Sequence, residues 1–503
     1  MKEQSFFNKF AEDERKKLLD FFEELNKNIN LTKKETKLFN DDFKNAILYY
    51  YSKNKKIDEI LQILSLDNLG NCYKNKATEW YPLDNSAKIY PLAMKENWMS
   101  VYRMSYYLND EIIPEILQIA LTFTMKRFPT FRTSIRKGFF WHYIDAIKKR
   151  FAIEEEQFLP CSNINVSKLG KQSFKVLYYQ NRISVEIFHV LTDGYGGIVF
   201  LSTLVSEYLK LIGKEIGFNE LVLNVNENVS REEIEDEFLT KHLTSKTTGL
   251  IDSKALMLDG KLSNIRPCQL IHFDLDAIKL KELAHNYKIT VNELMLSYLF
   301  LVLSYSTSKD GYIKIQVPVN MRKYYKSRTL RNFALYNNIS IKKSEITSLE
   351  EVIKKVKNQS QEKLSKNKLN EVMLYSNKLV KSLRFIPLFI KRPIANFIYG
   401  YIGDKSQTTV LSNLGNIDLP VEILKHIKSA DFILGTTISN KALFSLVTIN
   451  NIATLSMSKF TTNAAVENGL YNIFKENDLL IRIHGSEIYE NRKWLSKNKK
   501  TIK

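Results

Sequence analysis

Few stretches of this 503-residue chain leave the backbone as little choice as Ile183 to Leu211. Ile183, Val185 and Ile187 alternate with Ser184 and Glu186, the period of a half-buried strand, and the run ends in Phe188 and His189. Gly194, Gly196 and Gly197 then break the strand, and apolar side chains recur at helical spacing from Ile198 to Leu211. A glycine-rich strand-to-helix connection must therefore carry one imidazole, His189, and one carboxylate, Asp193, four residues later. A histidine at a strand end with a carboxylate behind it is the layout of a general base. The competing reading is a histidine merely hydrogen-bonded beside a turn. A His-x-x-x-Asp-Gly string arises by chance in a chain of this length and composition about one time in a hundred.

The string His189-Val190-Leu191-Thr192-Asp193-Gly194 resembles the signature of the CoA-dependent acyltransferase superfamily, which includes chloramphenicol acetyltransferases, condensation domains of peptide synthetases, wax ester synthases and alcohol acetyltransferases. Three other segments resemble it in the same order. Leu117 to Leu121 with Arg127-Phe128-Pro129-Thr130-Phe131-Arg132 is similar to the helix and Arg-x-Pro-x-x-Arg turn of the first half. Val317-Pro318-Val319-Asn320-Met321-Arg322 and Leu330-Arg331-Asn332-Phe333 resemble the second-half strand and loop of the alcohol acetyltransferase and wax ester branch. Leu411-Ser412-Asn413-Leu414-Gly415 resembles the Ser-Asn-x-Gly strand lining the tunnel, and Tyr81-Pro82-Leu83-Asp84 adds likeness to bacterial alcohol acetyltransferase-like proteins. The resemblance spans residues 80 to 485. It implies an α/β (α+β) fold with two chloramphenicol-acetyltransferase-like half-domains around a central tunnel. Periodicity alone gives only mixed α and β.

Four units are expected: a helical N-terminal appendage over 1–75, a first half over 76–245 bearing the histidine, a linker over 246–268, and a second half over 269–503. In the appendage Phe6, Phe7, Phe10, Leu18, Leu19, Phe22 and Leu25 recur at helical spacing, and Thr32 with Glu35 reads as a capping box. The resemblance does not cover this unit. A helix is expected over Pro114–Arg127, a strand over Leu270–Leu275 and a helix over Asp276–Asn286. Thr290 and Glu293 form a second box before the apolar run to Leu303.

Cys72, Cys161 and Cys268 have no paired spacing, which argues against a disulfide framework or zinc site. The opening residues carry mixed charge and no apolar core, so no secretory signal is expected and the setting is read as cytoplasmic. The formal charge of +19 comes from dispersed lysines and not from a phosphate-tracking stripe, so nucleic acid is not the expected partner. Such a field would draw in anionic CoA thioesters or an acidic carrier protein. No metal is expected, because the histidines lack ligand spacing with acids or thiols.

Under the resemblance His189 takes the proton of an alcohol attacking a thioester, and the acyl group passes directly from acyl-CoA, a co-substrate and not a bound cofactor, without an acyl-enzyme. Asp193 is implied to be structural, paired with Arg103 or Arg322, and Gly194 to allow close approach of the thioester. Asn320, Arg322, Asn332, Ser412 and Asn413 are expected along the tunnel or CoA site. Ser412 and Asn413 are read either as oxyanion donors or as a plain strand-end turn. Arg322 and Arg331 are each read either as lining the tunnel or binding CoA phosphates, or as surface ion pairs.

The acceptor expected is a small or lipid-like alcohol. The aromatic and basic segment Leu383–Ile402 has two readings, a helix on a membrane interface or a buried crossover helix kinked at Pro393; the buried form is adopted, leaving weak peripheral membrane contact as the other. Two alternatives to the CoA-dependent enzyme stand: a condensation-type domain with a carrier-protein-bound donor, and a non-catalytic binding protein. Phe188 occupies the place where condensation domains carry a second histidine, which disfavours the first. Retention of His189 and Asp193 argues against the second.

Overall fold

The computed structural model describes residues 3–75, 79–93, 100–162, 164, 171–240, 253–263, 268–398, 406–435 and 440–485. Residues 246–252 and 264–267 of the expected linker, and Tyr399 to Ile402, lie outside these. The strands are Trp80–Pro82 (β1), Val101–Leu108 (β2), Thr133–Lys137 (β3), His142–Ala146 (β4), Ile153–Glu155 (β5), Phe174–Tyr179 (β6) and Arg182–Phe188 (β7). After the helix Gly194–Leu211 and the loops that follow it come Gln269–Asp276 (β8), Tyr312–Asn320 (β9), Ala334–Lys342 (β10), Thr409–Asn416 (β11), Ile427–Leu434 (β12), Ala442–Ile449 (β13), Ile452–Lys459 (β14) and Leu480–Gly485 (β15). They form three sheets among the described residues, in the orders β1-β4-β3, β12-β2-β7-β6-β5 and β10-β9-β11-β13-β14-β8-β15.

The five-stranded sheet takes a strand from the far end of the chain. β12 runs antiparallel to β2, from Ile427 opposite Leu108 to Leu434 opposite Tyr102. One hydrophobic core extends from Ile116, Phe123 and Phe200 of the first half to Leu270, Leu443 and Val447 of the second. It also takes in Phe6, Leu18, Phe22, Phe39, Phe43 and Ile47, so the N-terminal helices share the core of the first half. Tyr50 Oη donates to the carbonyl of Leu211 at 2.7 Å, and Arg150 holds Asp42 through two bonds of 2.6 Å. A second core lies between the seven-stranded sheet and the helices Val291–Tyr305, Leu349–Lys363 and Ala465–Glu476.

Local chemistry explains the element ends. Thr290 accepts from Glu293 N at 3.2 Å while Glu293 Oε2 accepts from Thr290 N at 2.8 Å, a complete capping box at the start of Val291–Tyr305. Asp276, expected inside a helix, is its N-cap: its side chain accepts from the amides of Ile278 and Lys279.

The expectation of a half-buried β7 is corrected: all seven of its residues are buried. Ser184 and Glu186 alternate with the apolar residues as expected, but face a polar layer inside the protein. Arg103 places its guanidinium on Glu156 at 2.8 and 2.6 Å and donates to Ser184 at 2.7 Å, while Arg182 reaches the same Glu156 oxygen at 2.5 Å. Alternation reports the sheet's two faces and is silent on whether the polar one meets water or other charges.

Candidate active site

The chain turns at His189, just after the last strand amide is taken by a neighbouring strand's approach. His189 N donates to Ser100 O at 2.8 Å, and Leu191 N closes a turn on Phe188 O. Asp193 then caps the Gly194–Leu211 helix, its Oδ1 accepting from Gly196 N at 3.2 Å. Its Oδ2 accepts from Arg322 Nη1 at 2.8 Å and from Phe333 N at 2.7 Å. Of the two expected arginines, therefore, Arg322 pairs with Asp193, and Arg103 is engaged with Glu156. Arg322 also donates to the carbonyls of Thr329 and Arg331 and stacks on Tyr195 at 4.5 Å. Asp193 thus clamps the histidine loop of the first half to the 320–333 loop of the second.

The glycines are needed for packing. A Cβ on Gly196 would lie 2.0 Å from Thr192 Oγ1 and 2.3 Å from the carbonyl oxygen of Leu330. A Cβ on Gly194 would lie 2.7 Å from a side-chain methyl of Leu414, so that glycine admits β11. Gly196→Ala is expected to cost about 1–3 kcal/mol of stability, because backbone would have to move; the thermal midpoint checks it.

His189 is half-buried. Its ring is stacked on Tyr90 at 4.7 Å and meets Tyr102 edge-on at 5.2 Å. Its Nδ1 lies 2.8 Å from Asn332 Oδ1. The Nδ2 and backbone N of Asn332 both donate to Asp84 Oδ2 at 3.2 Å, and Ala87 N donates to Asp84 Oδ1 at 2.9 Å. A carboxylate that takes these donors accepts only, so the amide nitrogen of Asn332 faces Asp84 and its oxygen faces the ring. His189 Nδ1 therefore carries the proton, and Nε2 keeps its lone pair. Burial lowers the pKa of His189 below the ordinary histidine value; Asp193, the Asn332 bond and Asp84 oppose it. The ring is consequently a neutral base at pH 7. Burial also pushes the Asp84 carboxyl up, against the opposing pull of Arg331 at 3.5 Å.

Arg331 is 3% exposed, with Nη2 on the carbonyl of Pro82 at 2.6 Å. That corrects the surface-ion-pair reading of it: the guanidinium is buried against Pro82 and Asp84. Asn320 is exposed and caps the turn before Arg322, accepting from its backbone N at 3.1 Å. Asn413 accepts from Gly415 N at 2.8 Å and donates to Asn292 at 3.3 Å, holding the left-handed turn at Gly415, φ 75°. Val410 and Leu414 pack on the first core and Leu411 in the second, so by alternation Ser412 shares the face that meets Gly194.

A cleft of about 870 Å³ opens beside the clamp, lined by Tyr195, Asn320 and Arg322. Lys323, Lys326 and Arg328 line it together with Glu220, Glu232, Glu235 and Glu237. The local charge is balanced, unlike the positive field expected from net charge. The Arg-x-Pro-x-x-Arg turn lies in the scaffold: Arg127 holds Glu233 at 2.7 Å and Arg132 contacts Cys72. Among the described residues no group of histidine, cysteine and carboxylate side chains is placed to hold a metal ion.

Asp84 and Tyr90 are absent from the set expected from sequence. The Tyr-Pro-Leu-Asp tetrapeptide was a sign for the first; Tyr90 has none.

No family profile matches the sequence, and no curated protein does. Solved structures do. Trichothecene 15-O-acetyltransferase from Fusarium sporotrichioides is 12% identical with a TM-score of 0.55, over 80% of this chain and 96% of that one. The first condensation domain of the calcium-dependent antibiotic synthetase is 11% identical with a TM-score of 0.54, over 80% and 95%. The F. sporotrichioides protein TRI101, solved with coenzyme A and T-2, is 11% identical with a TM-score of 0.51, over 80% and 99%. The chain thus has the mixed α and β fold shared by CoA-dependent acetyltransferases and peptide-synthetase condensation domains.

Proposed function

We propose that the protein transfers an acyl group from acyl-CoA to an alcohol, with His189 as general base. The observation that carries this is the line Asp84–Asn332–His189, which leaves Nε2 as a neutral acceptor. An alcohol hydrogen-bonded to Nε2 gives up its proton as its oxygen attacks the thioester carbonyl. The tetrahedral intermediate then expels the CoA thiolate, which recovers the proton from the imidazolium. No side-chain nucleophile is used, so no acyl-enzyme forms. Ser412, on the face of β11 that meets Gly194, is proposed to donate to the developing oxyanion. Asp193 and Arg322 hold the loop and take no part in proton transfer. Asn413, tied into its turn, is assigned a supporting role, and Asn320 and Arg322 border the cleft through which CoA is proposed to approach.

The test is thiol release from short, long and aromatic acyl-CoAs with a panel of alcohols. Acceptor-dependent release supports the reading. Release only from acyl-pantetheinyl carrier protein would replace it with a condensation-type reaction, and no transfer from either donor would leave a binding protein. Because the pKa of His189 is lowered, kcat/KM is expected to rise with pH through an apparent pKa below about 6.5 and then level off. A pH-rate profile measures this; an acid limb above that value would contradict it.

A further inference from the structure

The helix Leu388–Ile398 is built inside out. Lys391 points inward and is buried, its Nζ donating to the carbonyl of Phe140 at 2.7 Å and lying over the Trp141 ring. Phe389 and Ile394 point outward, 71% and 49% exposed, with Ile390 beside them. Just before the helix, Phe385 is 69% exposed. These exposures correct the buried-crossover expectation for the segment.

A second piece of chain completes the surface. The turn between β3 and β4 carries Phe139, 68% exposed, and Phe140, whose rings meet at 4.8 Å. Phe140 lies 6.4 Å from Phe385, and Leu388 N donates to the carbonyl of Phe139 at 2.8 Å. The two segments therefore form one apolar face. Scattered exposed apolar residues need no explanation, whereas a contiguous aromatic face rimmed by charge does.

The flanking segments are mostly basic, although Asp145, just past the second, pairs with Arg136 at 3.5 Å. From Val372 to Ile398 the sequence holds Lys378, Lys381, Arg384, Lys391 and Arg392 and no acidic residue, and from Arg132 to Ile144 it holds three cations and no acidic residue. Lys137, Lys378, Lys381 and Arg384 are exposed. Nearby, burial lowers the His142 pKa to about 4, with Lys137 and Arg392 adding to the shift.

We propose that the Phe139–Phe140 turn and the Arg384–Ile394 segment form a docking face for an anionic lipid bilayer surface. Outward Phe and Ile enter the boundary between headgroups and acyl chains, and the lysine and arginine rim meets the lipid phosphates. The face leads toward the site: the short helix Ile89–Ala93 packs on Leu388–Ile398 and carries Tyr90, which stacks on His189. A lipid-borne alcohol would approach from this side; that consequence rests on the transferase reading, and the docking does not.

The experiment is cosedimentation of the full chain with vesicles of phosphatidylcholine alone or mixed with phosphatidylglycerol, together with sedimentation velocity without lipid. Binding to the mixed vesicles, weakened by salt, is expected. Phe385→Ser with Phe389→Ser should lower partitioning about tenfold or more. Both side chains are exposed, so the thermal midpoint should hold, and Ile481→Ser, exposed on β15, should bind like the parent. Equal binding by the double variant overturns the proposal. So does no binding to either vesicle, and so does a dimer in solution, lost in the variant, without vesicle binding. None of these readouts depends on catalysis.

Discussion

Replacing His189 with alanine is expected to lower kcat/KM for acyl transfer by about 10²–10⁴-fold, the range general-base catalysis supplies. The fall should appear in kcat, with KM for acyl-CoA changed little, because the ring's task is to take a proton as bonds change. Asn332→Leu is the sharper control. It removes the acceptor that keeps the proton on Nδ1 and takes one side-chain donor from Asp84, while the backbone N–H at this position still reaches it. A smaller loss in kcat should come with a displaced acid limb of the pH-rate profile. If kcat and that limb were unchanged, the Asp84–Asn332 line would be scaffolding only.

Glu156→Ala is expected to destabilise the fold by about 3–5 kcal/mol, the cost of breaking a buried ion pair from one side. Glu156 is the shared acceptor for Arg103 and Arg182, and all three are buried. Truncating it leaves two guanidinium groups inside the five-stranded sheet with their main counter-charge gone. The denaturation midpoint should fall while the slope stays constant. An unchanged midpoint would mean that water or Glu186, 3.7 Å from Arg103, takes over the charge.

The parts of the site legible in the sequence were those that lie side by side in it. His189, Asp193 and the glycines fall within nine residues, where strand period, glycine breaks and helix period follow one another. Asp84 and Asn332 are 105 residues before and 143 after His189, and no local periodicity links them. Arg331 was ambiguous because an arginine beside an asparagine reads the same whether it faces solvent or the carbonyl of Pro82. The segment Leu383–Ile402, aromatic and basic together, suits either a buried or an interfacial helix; only packing decides which side of Leu388 and Lys391 faces inward. Ser184 and Glu186 show the same limit in β7.

The insertion of β12 beside β2 has a consequence for dividing the chain. A fragment ending near residue 240 would expose one whole margin of its central sheet, with the backbone donors and acceptors of β2 open to any passing strand. Such a margin templates strand addition and aggregation. The later part of the chain thus covers the open edge of the earlier part's sheet. The two pieces are expected to become soluble only when produced together, so that each can complete the other.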